Sequence, residues 1–395
     1  MSDLLAFANC GQLTSARASP MKIAEVEAIP LFAAFADAFD GQVPPELSLP
    51  AFSMRDNPLL GQGAVIVRIR TDAGLVGIGE AMGRPGPRGT AAHINEVLAP
   101  MLLGRDPRHH HALFTAMNEQ MRFAPMGISG VDMALWDLRG QIYGDCLTNL
   151  LGGAIRDRVD CYASPIPYLA TPDASAEKAR EFLGAGFRAV KLKIGRGLGM
   201  DIEHTAAVRD AIGSDVKLLV DANGAYNVSE SIALAKALVK LGVYWLEEPV
   251  HPEYPDDLAR IRRRVDLPVV SGEWLGSWFQ FRDLIKAEAV DVIMPNITRC
   301  GGITGLLKIA DLAALENVSV APHGVGAGIG IVAAIAACAT VPNFLIYEYN
   351  QLFNALRHTV MNEGIDYSDG VLRPSAGVGL GLTLNEETIA RYRAD

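Results

Sequence analysis

The sequence predicts an α/β protein in which an α+β unit, about the first 150 residues, precedes a closed barrel of parallel strands. Three observations predict this. Strand-like runs give way to helix-period runs before residue 150. From about Asp157 short apolar strands alternate with amphipathic helices, which implies βαβ units and a parallel sheet. The residues at the ends of those later strands are polar or ionisable, and they recur at a steady interval.

From Met21 to about Glu80 the pattern is that of an antiparallel sheet. KIAEVEAIPL reads as a strand, and AVIVRIRTDAGLVGIGE holds a turn at Thr71-Asp72-Ala73-Gly74 between two β-rich runs. Residues 32–58, rich in Phe, Pro and Asp without a steady period, read as a long loop of the kind that forms lids or binding loops. From Thr90 to Tyr143 the period becomes helical, and in GVDMALWDLRGQIYG the side chains of Val131, Leu135 and Leu138 share one face. Residues 1–20, with Gly11, Ser15, Ser19 and Pro20, read as a disordered tail or a start placed too early. The later strands are expected at 160–163, 189–193, 217–221, 244–247, 269–271, 290–294, 318–321 and 344–348. Helices are expected between them at 175–183, 204–212, 229–241, 302–315 and 329–340. Eight such strands suggest a closed barrel.

A chain of 395 residues is long enough for roughly two or three domains. Its 50% hydrophobic and 20% charged residues place it among globular rather than disordered chains. A formal net charge of −10 with no clustered basic face argues against a nucleic-acid partner. The five cysteines, Cys10, Cys146, Cys161, Cys300 and Cys338, lack CxxC spacing and read as reduced core thiols. The apolar run at 328–338 is too short to span a bilayer, and the first residues show no basic-then-apolar leader, so no membrane association and a cytoplasmic location are expected. GVGAGIG, at Gly324, Gly326, Gly328 and Gly330, does not fit a dinucleotide fingerprint and reads as a flexible loop at the substrate site. His109, His110 and His111 cannot all face one ion from a helix, and they read as a solvated turn.

In a barrel of this kind the reacting groups stand at the C-terminal ends of the strands. Here those positions are Lys193, Asp221, Glu247, Glu273, Asn296, His323 and Glu348, spaced so that all seven face one another across the mouth. Asp221, Glu247 and Glu273 on adjacent strands would repel unless a cation lay between them, and an all-oxygen set suits Mg²⁺. Lys191 and Lys193 in KLKIG point to the same side, each disfavouring the other's charge, and a lysine depressed in this way can act as a general base. His323, in APHG across the ring, is a candidate second acid or base.

KLKIG, LLVDANGAY, WLEEP, SGEW, MPNITRCGGITG, APHG and IYEY stand in this order and spacing from Met21 onward. On these motifs the chain resembles the enolase superfamily, mandelate racemase subgroup. The resemblance implies a capping domain at 21–150 over a (β/α)₇β barrel at 151–350, with residues 351–395 packing back on the cap. It implies one Mg²⁺ per active site held by Asp221, Glu247 and Glu273, Lys193 as base, and Lys191 as stabiliser of the enolate. Asn223 would contact substrate, Glu348 would hydrogen-bond the enolic oxygen, and Glu248, on the other face, would be structural. The implied partner is a small carboxylate, and the expected assembly is a homo-oligomer, a dimer or an octamer.

One position departs from the family pattern: Asn296 stands where an aspartate usually pairs with the strand-seven histidine. An asparagine can accept a hydrogen bond and orient the His323 ring, but it supplies no charge to favour imidazolium. This makes dehydration of a sugar acid the leading expectation, with Lys193 abstracting the α-proton. Racemisation or epimerisation between Lys193 and His323 is the alternative, and a non-catalytic ligand-binding barrel is a remote one. Phe32, Phe35, Phe39, Phe52 and Met54 would point to a less hydroxylated acid if they line the pocket, and otherwise pack cap against barrel. Arg55 and Arg84 are candidates to pair with a second carboxylate.

Overall fold

Three strands rich in apolar and β-branched residues form a sheet: β1 (Ile23–Ala34), β2 (Gly61–Thr71) and β3 (Val76–Met82) pair antiparallel in that order, and β2 and β3 are buried along nearly their whole length. This computed structural model describes residues 21–44, 47, 60–84, 86–120 and 125–394, so the expected tail at 1–20 and Cys10, Phe52, Met54 and Arg55 lie outside the described residues. One face of the sheet buries Val65, Val67 and Ile69 in a cluster with Val131, Leu135 and Leu138 of the helix Pro125–Tyr143. The approach is close because β3 offers glycines: a Cβ on Gly79 would stand 2.1 Å from the carbonyl oxygen of Gly130.

β1 corrects the expected loop. It continues through Phe32 to Ala34 and is followed by a helical turn, Phe35–Ala38, so the stretch after residue 31 begins as paired strand. Leu31 and Ala33 face inward while Phe32 is 37% exposed, and an apolar residue on the solvent side hid the two-residue period. Phe35 is buried beside Leu47 and Leu352, and Phe39 packs against Phe353 at 4.8 Å between ring centroids. These two rings therefore join cap to barrel.

The second sheet is the barrel. Parallel strands β4 (Val159–Ile166), β5 (Ala189–Lys193), β6 (Lys217–Asp221), β7 (Trp245–Glu247), β8 (Val269–Ser271), β9 (Val292–Ile293) and β10 (Ser319–Val320) pair each with the next. β11 (Tyr347–Asn350) pairs with β4, and a bridge from Val320 to Phe344 joins that last segment to β10, which closes the ring. Trp245, Leu219, Val270 and Met294 fill its interior. The C-terminal segment touches both units: β12 (Tyr367–Ser368) and β13 (Val371–Leu372) form a hairpin whose second strand pairs antiparallel with β4. Further on, Arg393 bridges Leu31, and Glu386 lies 2.6 Å from Arg68 on the cap sheet.

Two other expectations are corrected by packing. His110 is 1% exposed rather than solvated, because it opens the helix His110–Gln120 against Trp136 and its Nε2 lies 2.9 Å from Asp132. The alternating glycines serve close packing rather than flexibility. A Cβ on Gly324 would collide with the Glu348 carbonyl, Gly326 abuts Glu80, and Gly330 donates its N–H to Glu80 at 2.8 Å. Cys146, Cys161, Cys300 and Cys338 are free thiols, and no described helix is long and apolar enough to cross a membrane.

Candidate active site

Barrel register assembles the site. Lys193 pairs with Asp221 and Asp221 with Glu247 across adjacent parallel strands, so three ionisable residues stand in one row at the strand ends. Lys191, two residues earlier, shares their face and is fully buried. Its Nζ lies 2.8 Å from Glu247 Oε1, 3.0 Å from Glu348 Oε1 and 3.4 Å from Asp221 Oδ2. Lys193 donates to Asp221 Oδ2 and to Asn223 Oδ1, the latter at 2.8 Å. Asn223, at φ 43°, donates its own amide to Glu273 at 3.1 Å. His323 Nε2 stands 3.1 Å from Glu273 and 3.6 Å from Glu348. Eight of the candidate residues thus meet at one mouth, and the ninth, Asn296, reaches it through His323. Glu248 turns away and accepts from the Ser271 hydroxyl and the Gly272 N–H, both at 3.3 Å.

Asp221, Glu247 and Glu273 each offer an oxygen, and these oxygens lie within 4.8 Å of one another. The donor set is all oxygen, and Glu247 Oε2 is buried with no hydrogen-bond partner, so a hard divalent cation fits this cradle. Burial and Asp221 push Glu247 well above the carboxylate range, whereas Glu273, despite burial, is drawn well below it by His323 and Lys193. Burial alone would raise Glu348, but Lys191 and His323 bring it to about 2.

The lysine pair overturns one expectation. Burial lowers both lysines, yet both come out above their ordinary value, because Glu247 and Glu348 favour the charge on Lys191 and Asp221 does so on Lys193. Four carboxylates outweigh the mutual repulsion of two ammonium groups.

Asn296 overturns another. Its Oδ1 accepts from the Thr298 backbone N–H at 2.9 Å and from Thr298 Oγ1 at 2.7 Å. A backbone N–H can only donate, so the amide orientation is fixed and Nδ2 faces His323 Nδ1 at 2.8 Å. Asn296 therefore donates to the histidine. With Nδ1 accepting, the neutral ring carries its proton on Nε2, the atom that faces Glu273 and Glu348. Thr298 was not singled out in the sequence; its only signal is its place two residues after Asn296 in a loop with no period.

A family model for the mandelate racemase/muconate lactonizing enzyme N-terminal domain matches residues 44–152, and an enolase C-terminal domain-like model matches residues 174–388. The D-galactarolactone cycloisomerase of Agrobacterium fabrum is 35% identical over 347 residues, covering 83% of this chain and 91% of that protein. The chain belongs to the mandelate racemase/muconate lactonizing enzyme family. It is an enzyme of the enolase superfamily, with that superfamily's cap and barrel, and its mouth fits metal-dependent abstraction of a proton next to a carboxylate. Another relative in the family, the arabinonate dehydratase of Saccharolobus solfataricus, is 30% identical over 338 residues, covering 83% of this chain and 90% of its own. A crystal structure of a Streptomyces coelicolor racemase with bound magnesium superposes with a TM-score of 0.84 at 27% identity, over 94% of this chain and 100% of that one.

Proposed function

We propose that this enzyme dehydrates a sugar acid to a 2-keto-3-deoxy acid, with one Mg²⁺ held by Asp221, Glu247 and Glu273. The carrying observation is the Thr298–Asn296–His323 chain, which gives His323 an N–H at Nε2 where a second base would need a lone pair. Lys193 is then the single base. When bound, the cation supplies positive charge that stabilises the enediolate and offsets the carboxylate field now holding Lys193 protonated.

The residues divide the work as follows. Asn223 and Asp221 hold the Lys193 amine beside the α-carbon, where it takes the proton as the Cα–H bond breaks. Lys191, buried against Glu247 and Glu348, presents positive charge to the developing enediolate oxygen, and Glu348 hydrogen-bonds the enolic hydroxyl. The β-hydroxyl departs as its C–O bond breaks, hydrogen-bonded by His323 Nε2–H, and the proton taken by Lys193 completes the water; the enol that remains takes a proton from solvent at C3 and releases its hydroxyl proton, giving the 2-keto-3-deoxy acid. The cycloisomerase and dehydratase names of the two relatives support a hydroxylated substrate. So does the packing of Phe35 and Phe39 on Leu352 and Phe353, which occupies these two rings in the cap–barrel contact.

Incubation of candidate sugar acids with the Mg²⁺-loaded enzyme in D₂O tests the proposal. A 2-keto-3-deoxy product is the expected outcome. Deuterium at Cα of an otherwise unchanged acid, with its epimer accumulating, would instead make the enzyme a racemase or epimerase.

A further inference from the structure

Beside the lysine–carboxylate cluster stand three arginines with no ion pair among the described residues: Arg84 after β3 on the cap, Arg299 after β9 and Arg357 after β11. Arg357, 5% exposed, donates to the Leu352 carbonyl at 3.0 Å and to Asn350 Oδ1 at 3.1 Å, and its Nε has no acceptor. Glu80 lies near enough for its charge to favour that of Arg357 but makes no direct ion pair with it, and its two oxygens take backbone N–H groups, from Ala327 at 2.6 Å and Gly330 at 2.8 Å. Arg299 lies over the Trp274 ring at 5.2 Å, next in sequence to Glu273, and its Nε is buried without an acceptor. Arg84, partly buried, makes no hydrogen bond among the described residues. The group is close enough to interact: burial, with repulsion from Arg357 and Arg299, draws Arg84 down to about 10 while Glu273 pulls the other way.

Charge balance points to what is missing. Asp221, Glu247, Glu273 and Glu348 face Lys191 and Lys193, and a divalent cation among them brings that part of the mouth to neutrality. Against the three arginines then stand two further buried carboxylates, Glu80 near Arg357 and Glu248 near Arg299, so among the described residues the corner keeps an excess of positive charge, and a guanidinium short of counter-charge away from water is costly. β3 is pinned there, since Met82 N–H donates to the Thr298 carbonyl at 3.0 Å, so cap and barrel present Arg84 and Arg299 from two sides.

We propose that Arg84 and Arg299 form an anion subsite for a second carboxylate, so that the substrate is a sugar diacid held at both ends. This rests on the dehydratase reading above. A carboxylate accepts from two guanidiniums at once, and it would engage the free Arg299 Nε–H in a forked pair that a terminal hydroxyl cannot reproduce.

The test compares galactarate, a six-carbon diacid, with galactonate, its monoacid counterpart. Affinities are measured by calorimetry on the Mg²⁺-loaded Lys193→Ala variant, which cannot turn the acids over, and turnover is measured on the wild type. The diacid is expected to bind about 100-fold more tightly. Arg84→Met or Arg299→Met, added to Lys193→Ala, should remove that preference and leave monoacid affinity unchanged, which also shows that these variants fold. Equal affinity for the two acids, or a preference that survives both arginine substitutions, overturns the subsite. If the wild type dehydrates monoacid and diacid equally well, the subsite falls and the dehydratase reading stands. If it dehydrates neither while the arginine-dependent preference remains, the reaction falls and the subsite stands. Binding of neither acid overturns both.

Discussion

The seam between cap and barrel and the mouth of the barrel both bury carboxylates, and they compensate them differently. At the seam the partners are largely backbone. Asp132 accepts from Thr304 N–H at 2.9 Å, Asp137 from Ile78 and Leu380 N–H at 3.1 and 2.8 Å, and Glu80 from Ala327 and Gly330 N–H. At the mouth the partners are mostly side chains, the two lysines with Asn223 and His323, and Glu247 and Glu348 each keep an oxygen without a hydrogen bond. A backbone N–H cannot dissociate, so the seam's compensation is permanent. An ammonium can lose its proton and a bare oxygen can take a ligand, so the mouth's compensation is exchangeable. One region holds the two units together and the other is left open for chemistry.

The largest expected effect breaks this division at the mouth. Lys193→Ala should lower kcat/KM about 10⁴-fold, the upper range for a general base, while the Mg²⁺-loaded variant melts close to the wild type. The complementary change at the seam is Asp137→Ala. It leaves the N–H groups of Ile78 and Leu380 buried without an acceptor and should cost about 3 kcal/mol of stability in denaturant titration, with kcat near wild type wherever the chain folds. If Asp137→Ala instead abolished turnover at full stability, seam and mouth would not be separate devices. Mg²⁺ sharpens the comparison. At about 100 times its dissociation constant it should stabilise the wild type by about 2.7 kcal/mol, and Glu247→Gln should lose most of that gain.

The same division explains what was legible in the sequence. Asp221, Glu247 and Glu273 were readable because strand-plus-helix repetition fixes where side chains converge, and the barrel register turns that period into adjacency. The seam was less readable because its chemistry uses backbone donors, which leave no residue signature: Asp137 looks like any helical acid, and His110 like one of three solvated histidines. The turn at Thr71–Gly74 was legible from its residue types, with Gly74 at φ 84°, whereas the end of β1 was not, because Phe32 faces outward. The charge state of the lysines was misread for a different reason. Two neighbouring cations suggest depression only until their four carboxylate neighbours are counted, and that count is three-dimensional.

At Asn296 the structure reverses the hydrogen-bond polarity expected from the sequence, and this position carries the smallest effect expected here. The amide orientation depends on Thr298, which sends two donors to Oδ1. Thr298→Val removes the hydroxyl donor and keeps the backbone N–H, so the orientation is weakened rather than reversed. A fall in kcat of about tenfold is expected, the worth of one hydrogen bond near 1.4 kcal/mol, with Mg²⁺ affinity unchanged. Asn296→Asp goes further. A carboxylate there accepts an Nδ1–H and leaves a lone pair on Nε2, which makes His323 a base on the face opposite Lys193. That variant should incorporate deuterium from D₂O at Cα of recovered substrate and form its epimer, which the wild type should not. Wild-type exchange at the same rate as Asn296→Asp would mean that the donated amide hydrogen bond does not set the histidine's role, and the single-base mechanism would fall with it.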